Sequence, residues 1–88
     1  MDVKRVIMHE LIGCPVEIVD AANNSLVGLQ GKVVDETKHL LVIVDGKERR
    51  ILKAQATFKI AMGGKSYTIN GKLLVGRPED RLKKKVRL

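Results

Sequence analysis

The chain has 88 residues and a formal net charge of +7, from 17 Lys and Arg against 10 Asp and Glu. This length fits one domain, 1–88, and leaves no room for a separate catalytic domain. One Phe, one Tyr and no Trp leave little aromatic surface for stacking unpaired bases. The positive charge favours a polyanionic partner, either nucleic acid or an anionic membrane surface.

Residues 1–12 are expected to form a short N-terminal helix or arm. Apolar residues recur there at helical spacing, and we expect a domain this small to leave part of the stripe uncovered. The stripe is therefore a candidate contact for a protein partner. It consists of Val3, Val6, Ile7 and Leu11.

The chain has no apolar run of the length that a signal peptide or a membrane span needs, so we expect a cytoplasmic protein without membrane contact.

Residues 13–76 are expected to form an all-β domain, a small antiparallel barrel of five or six short strands. The first strand is predicted at 15–21. The next lies within 26–35, where Gly28 and Gly31 indicate the sharp bending that closure of a small barrel requires. The apolar run 40–44 is typical of a central strand with both faces covered.

Three dipeptides predict the turns of the second half. Asp-Gly at 45–46 fits a type I′ hairpin turn into a strand at 49–53, and Gly-Gly at 63–64 fits another hairpin turn. Asn-Gly at 70–71 predicts a third turn, into a last strand at 72–75. We expect the inward-facing residues of these strands to be buried: Val16, Ile18, Val33, Leu41, Ile43, Ile51, Phe58, Ile60 and Ile69.

Residues 77–88 are expected to form a basic C-terminal helix, because Pro78 suits a first helical turn, acids follow it and bases fill the end. Six basic against two acidic residues give this segment a net charge of +4, which leaves +3 for residues 1–76. The candidate RNA-binding residues are Arg77, Arg81, Lys83, Lys84 and Lys85 in this segment, and Lys32, Arg49, Arg50 and Lys72 in the barrel.

Motifs for catalysis or metal binding are incomplete. Gly-Lys-Ser at 64–66 matches the end of a phosphate-binding loop, but Lys59 stands where its first Gly belongs. His-Glu at 9–10 begins a zinc-protease motif whose second His is replaced by Gly13. Cys14 has no neighbour in sequence that would activate its thiol. We therefore predict no catalytic residue, no metal site and no cofactor.

Three segments match a known pattern together: HELIG at 9–13, LVGLQGKVVDET at 26–37 and GRPEDRLKK at 76–84. With this spacing, the chain resembles the archaeal ribonuclease P protein component 1 family over about residues 9–85. The resemblance implies an Sm-like (SH3-like) barrel with short flanking N- and C-terminal helices. It also implies two RNA partners, ribonuclease P RNA and precursor tRNA, and one protein partner, the small zinc-ribbon subunit of the same enzyme.

The resemblance further implies the role of the chain. In ribonuclease P the RNA carries the catalysis, so the chain would be a non-catalytic RNA-binding subunit that supports removal of the 5′ leader from precursor tRNA. Three other functions fit the same composition. These are another basic β-barrel of the translation machinery, such as a ribosomal protein, a purely protein-binding Sm-like module with a solubilising tail, and an enzyme whose catalytic groups only the fold assembles.

Overall fold

The computed structural model describes residues 6–7 and 9–76. In that part of the chain there are six strands, namely β1 (Pro15–Ala21), β2 (Gln30–Glu36), β3 (Leu40–Val44), β4 (Glu48–Leu52), β5 (Ala56–Met62) and β6 (Lys65–Asn70). Three short 3₁₀ helices accompany them, at Asn24–Leu26, Lys53–Gln55 and Gly71–Leu74. Of the predicted N-terminal helix, residues 6–7 are helical and 9–12 are not. Residues 1–5 and 8, and the predicted helix at 77–88, lie outside the described residues.

All six strands form one antiparallel sheet in the order β4-β3-β2-β1-β5-β6. The all-β, antiparallel prediction is therefore confirmed. The predicted closure into a barrel is not observed, since among the described pairings β4 and β6 do not bond to each other. Each of these edge strands is followed by a 3₁₀ helix, Lys53–Gln55 after β4 and Gly71–Leu74 after β6. The two 3₁₀ helices contact each other.

The register of the sheet shifts at two β-bulges. The register shifts between Ile18 and Asp20 in β1 and between Val33 and Asp35 in β2. Bulges of this kind increase the local twist. Gly28 lies before β2 with a φ of +91°, and Gly31 is required by close approach, since a Cβ there would lie 2.4 Å from the carbonyl oxygen of Val44.

Two of the three predicted hairpin turns form, after β3 and after β5, but only the Gly-Gly turn has the two loop residues that were expected. Both glycines have positive φ, 60° and 80°, and the flanking Met62 and Lys65 pair directly. The turn at 45–46 is not type I′, because in the described residues only glycines have positive φ and Asp45 therefore does not. Val44 pairs with Glu48, so the loop has three residues, 45–47.

The predicted turn at 70–71 and the last strand are also wrong. Asn70 instead caps a 3₁₀ helix at Gly71–Leu74, and its side-chain oxygen accepts a hydrogen bond from the backbone N–H of Lys72 at 3.0 Å. Asparagine is a favoured cap residue for this reason. The local capping bond therefore replaces the ladder that a seventh strand would have formed.

The core contains all nine residues that were predicted to be buried, each at most 4% exposed. It also contains three residues of the N-terminal stripe: Val6 and Leu11 are 0% exposed and Ile7 is 5% exposed. The prediction of an uncovered stripe is therefore wrong for these three, because they pack into the chain's own core. Val3 lies outside the described residues, and contact between this segment and a protein partner stays a prediction.

Candidate RNA interface

Two of the predicted RNA-binding residues, Lys32 and Arg50, lie on the outer face of the sheet. Val33 pairs with Ile43, and both are buried, so this side of β2 and β3 faces the core. Side chains alternate along a strand, so Lys32 points away from the core. Arg50 pairs with Val42 and alternates with the core residue Ile51, which places it on the same outer face.

A third basic residue on this face, Lys59, was missed at the sequence level. It pairs with Glu17 across β1 and β5, and Pro15, two residues earlier in β1, pairs with Lys32. Lys59 and Lys32 therefore share a face, and both are exposed. The alternation of Phe58, Lys59 and Ile60 was the available signal, since two buried neighbours require the middle residue to point outward.

Arg49 is separated from these residues. It pairs with Ile43, so it lies on the core side of β4, at the edge of the sheet. Its Nε donates to both carboxylate oxygens of Asp45 at 3.1 Å. Although partial desolvation acts in the opposite direction, the Arg49 guanidinium and the N–H of Lys47 hold the pKa of Asp45 below its usual value. The charge of Arg49 is thus partly neutralised by a local partner.

Lys72 lies at the other end of the sheet. It is exposed, and it borders a surface pocket of ≈ 350 Å³ together with Asp20 and Gln55. That pocket is beside the end of β1, whereas Lys32 pairs with Pro15 at its beginning. In the described residues Lys32, Lys59 and Lys72 form no ion pair, while Arg50 has only an exposed contact to Glu48 at 3.7 Å.

The five candidates of the basic C-terminal segment, Arg77, Arg81, Lys83, Lys84 and Lys85, lie outside the described residues. The residue that precedes them, Gly76, is described and is bound on both sides. Its N–H donates to the carbonyl oxygen of Lys38 at 2.7 Å, and its own carbonyl oxygen accepts from Lys53 Nζ at 2.8 Å. Its φ of +132° is in a region that favours glycine.

Lys53 is the functional candidate that sequence reasoning did not find. It was predicted as the last residue of a strand, yet it begins the second 3₁₀ helix and is 0% exposed. Its Nζ donates to Glu36 Oε2 and to the carbonyl oxygen of Thr37, both at 2.7 Å. Lysine is almost never fully buried unless it is paired. No pattern around position 53 distinguishes this lysine from the exposed ones.

The remaining chemistry-bearing residues form no site. Within residues 6–7 and 9–76, no three His, Cys, Asp or Glu side chains are grouped so that they could hold a metal ion. Cys14 is half-buried, and burial raises the pKa of its thiol. None of the helices in the described part of the chain has the length and apolar character to cross a membrane.

Sequence comparison with known proteins identifies one family. A sequence model of the family "Ribonuclease P/MRP, subunit p29" matches residues 4–84. Ribonuclease P protein component 1 of Methanocaldococcus jannaschii is 49% identical over 85 residues, covering 94% of this chain and 90% of the relative. The same component of Thermococcus sibiricus is 46% identical over 85 residues, covering 97% of this chain and 70% of the relative.

A solved structure gives the same result for the fold. The structure of Mth11, a homologue of human RNase P protein Rpp29, superimposes with a TM-score of 0.61 at 41% sequence identity. The match covers 83% of this chain and 97% of that chain. The resemblance noted from the three sequence segments is confirmed. The chain therefore belongs to the ribonuclease P/MRP subunit p29 family, whose archaeal members are named ribonuclease P protein component 1.

Proposed function

We propose that this chain is a non-catalytic, RNA-binding subunit of ribonuclease P that supports the RNA-based removal of the 5′ leader from precursor tRNA. The observation that carries the proposal is the family match over residues 4–84, which includes most of the basic C-terminal segment. The net charge of +4 on residues 77–88 supports an RNA partner, since neutralising phosphates is the main source of affinity for nucleic acids.

The burial of Phe58 and Tyr67 bears on how the chain can contact RNA. Phe58 is 0% exposed and Tyr67 is 9% exposed, and both belong to the core. The chain has no further Phe, Tyr or Trp, so none of these side chains is exposed to stack on an unpaired base. Lys and Arg contacts to phosphates and to RNA shape are then the available mode, as for proteins that recognise structured RNA without base readout.

We propose two groups of contacts. The first is the basic segment that follows Gly76. The second is the outer face of the sheet, where Lys32 and Arg50 lie with Lys59. Arg49 is a weaker candidate because Asp45 holds its guanidinium. Lys72, at the opposite end of β1, would reach a different part of the RNA.

The finer architecture and the partners are part of the proposal. We take 1–88 as one Sm-like domain in which the antiparallel sheet within 13–76 is flanked by an arm at 1–12 and a basic helix at 77–88. The proposed protein partner of the arm is the zinc-ribbon subunit. The proposed location of the protein is the cytoplasm. Because Val6, Ile7 and Leu11 are already buried, that contact would use other residues, such as Ile12, which is 44% exposed.

The proposal is tested by titrating the full chain onto ribonuclease P RNA and onto a control RNA of equal length across a series of salt concentrations. We expect tighter binding to ribonuclease P RNA and a linear fall of log K with log salt, because each neutralised phosphate releases counterions. Equal, weak and salt-insensitive binding to both RNAs would contradict it and would favour a protein-binding module. A preference for ribosomal RNA in a third titration would favour a ribosomal protein.

A further inference from the structure

The buried pair of Lys53 and Glu36 joins three parts of the chain. Both side chains are 0% exposed, and Lys53 Nζ lies 2.7 Å from Glu36 Oε2. The same Nζ donates to the carbonyl oxygens of Thr37 and Gly76 at 2.7 and 2.8 Å, with a longer contact of 3.4 Å to Lys38. An ammonium has three donors, and the three short contacts engage them all.

Both polar backbone groups of Gly76 are hydrogen-bonded. Lys53 Nζ donates to its carbonyl oxygen, and its N–H donates to the carbonyl oxygen of Lys38 at 2.7 Å. Lys38 follows Thr37, whose carbonyl oxygen also accepts from Lys53 Nζ. The backbone N–H of Lys53 donates to His39 in the same turn at 2.8 Å. The last residue before the basic segment is thus fixed at both of its polar backbone groups.

We propose that Lys53 and Glu36 are positioning residues for RNA binding. By holding Gly76 they fix the place and the backbone direction at which the chain enters residue 77. The inference rests on the proposed function, since it assumes that residues 77–88 contact RNA. Neither side chain touches the RNA itself, because both are inside the protein.

Stability alone is a poor reason to bury this pair. Removing two charges from water is costly, and replacing a buried ion pair by apolar residues of similar volume is often neutral or stabilising. What the apolar replacement cannot supply is a donor for the carbonyl oxygen of Gly76. If Gly76 is not fixed before RNA binds, its backbone must be ordered on binding. The entropy cost of ordering even one backbone residue weakens binding by roughly tenfold.

The test uses the full chain with Lys53→Met and Glu36→Leu combined. The single Lys53→Met change would leave a carboxylate buried without its lysine and could prevent folding. We expect the double variant to keep a melting temperature close to that of the parent. Hydrogen exchange at the Gly76 amide should become faster, by at least roughly tenfold once its carbonyl tether is removed. The amide of Val33, which donates to the carbonyl oxygen of Cys14 just before β1, should be unchanged.

RNA binding separates positioning from stability. The double variant should bind ribonuclease P RNA about tenfold more weakly, as one backbone residue's ordering cost implies. A control with Lys65→Met and Glu10→Leu makes the same exchange of one base and one acid at exposed positions and should bind as the parent does. A double variant that folds, and shows either parental exchange at Gly76 or parental affinity, would overturn the proposal.

Combination with Arg77→Ala, Arg81→Ala and Lys84→Ala distinguishes this inference from the proposed function. If the three alanines do not weaken binding in the parent, the role of the segment in RNA binding is wrong. If the three alanines do weaken binding, adding Lys53→Met and Glu36→Leu to the triple variant should lower the affinity little further. The segment that Lys53 and Glu36 position then no longer carries the charges of Arg77, Arg81 and Lys84. An equal decrease in both backgrounds would mean that the pair acts through another surface, which also overturns the proposal.

Discussion

Gly71 lies directly against the backbone of Lys53. A Cβ built on Gly71 would be 1.7 Å from the carbonyl oxygen of Lys53 and 2.6 Å from that of Ala56. Both obstacles are backbone atoms, which cannot move aside as the end of a flexible side chain can. The 3₁₀ helices after β4 and β6 therefore contact each other only because position 71 has no side chain.

Replacing Gly71 by Ala should accordingly destabilise the protein. We expect a loss of about 1 to 3 kcal/mol in the free energy of unfolding, as for overpacking in a closely packed interior. Urea denaturation followed by circular dichroism measures it. Gly64→Asn is the control, because position 64 is open and Asn tolerates its positive φ of 80°. Equal losses in the two variants would contradict the close approach at Gly71.

The N-terminal segment should behave as core in a comparison of neighbouring residues. Leu11 is 0% exposed and Ile12 is 44% exposed. Leu11→Ala should lower the free energy of unfolding by about 2 to 5 kcal/mol, since it removes buried methyl groups and leaves a cavity. Ile12→Ala should change it by less than about 1 kcal/mol. Similar melting temperatures for the two variants would show that Leu11 does not pack as described.

The outer face of the sheet should contribute less to RNA binding than the C-terminal segment does, but measurably. Lys32→Ala with Arg50→Ala should lower the slope of log K against log salt by about 1 to 2, at roughly 0.7 to 0.9 for each phosphate that is no longer neutralised. Arg49→Ala is the control on the same hairpin and should change the slope less than Arg50→Ala alone does, because Asp45 holds the guanidinium of Arg49. A larger effect at Arg49 would move the contact surface to the edge of β4.

Cys14 should react slowly in the folded protein. Its thiol is half-buried and desolvation raises its pKa, so less of the reactive thiolate is present at neutral pH than in the unfolded chain. The linkage has one sign: folding favours the protonated thiol, so this group's contribution to stability is lost as the pH rises above the unfolded pKa. Alkylation by iodoacetamide should be slower in buffer than in concentrated urea at the same pH, and equal rates would contradict the burial.

Much of the sheet could be predicted because its signals are local. The first strand and β3 were predicted with the observed bounds, since an alternating stretch after a proline and an unbroken β-branched run are strong patterns. Turn geometry was less accessible. Asn-Gly at 70–71 has the composition of a hairpin turn, but Asn70 caps a 3₁₀ helix there and Gly71 packs against the backbone of Lys53, which is distant in the sequence.

The site could be predicted only as a charge distribution. Basic residues can be counted from the sequence, but the face each occupies depends on register and on the two bulges. Lys59 required the alternation of β5 to be read correctly. Lys53 could not be found, because its burial depends on Glu36, Thr37 and Gly76, which are 17, 16 and 23 residues away in the chain.

RNA binding by residues 77–88 is tested most sharply by the salt dependence of ribonuclease P RNA binding in the chain with Arg77→Ala, Arg81→Ala and Lys84→Ala. These charges lie in the segment with the net charge of +4. At about 0.7 to 0.9 for each neutralised phosphate, their removal should lower the slope of log K against log salt by roughly 2. The fold should be retained, as circular dichroism would verify. An unchanged affinity and an unchanged slope in the folded variant would contradict the proposal that residues 77–88 contact the phosphates of the RNA.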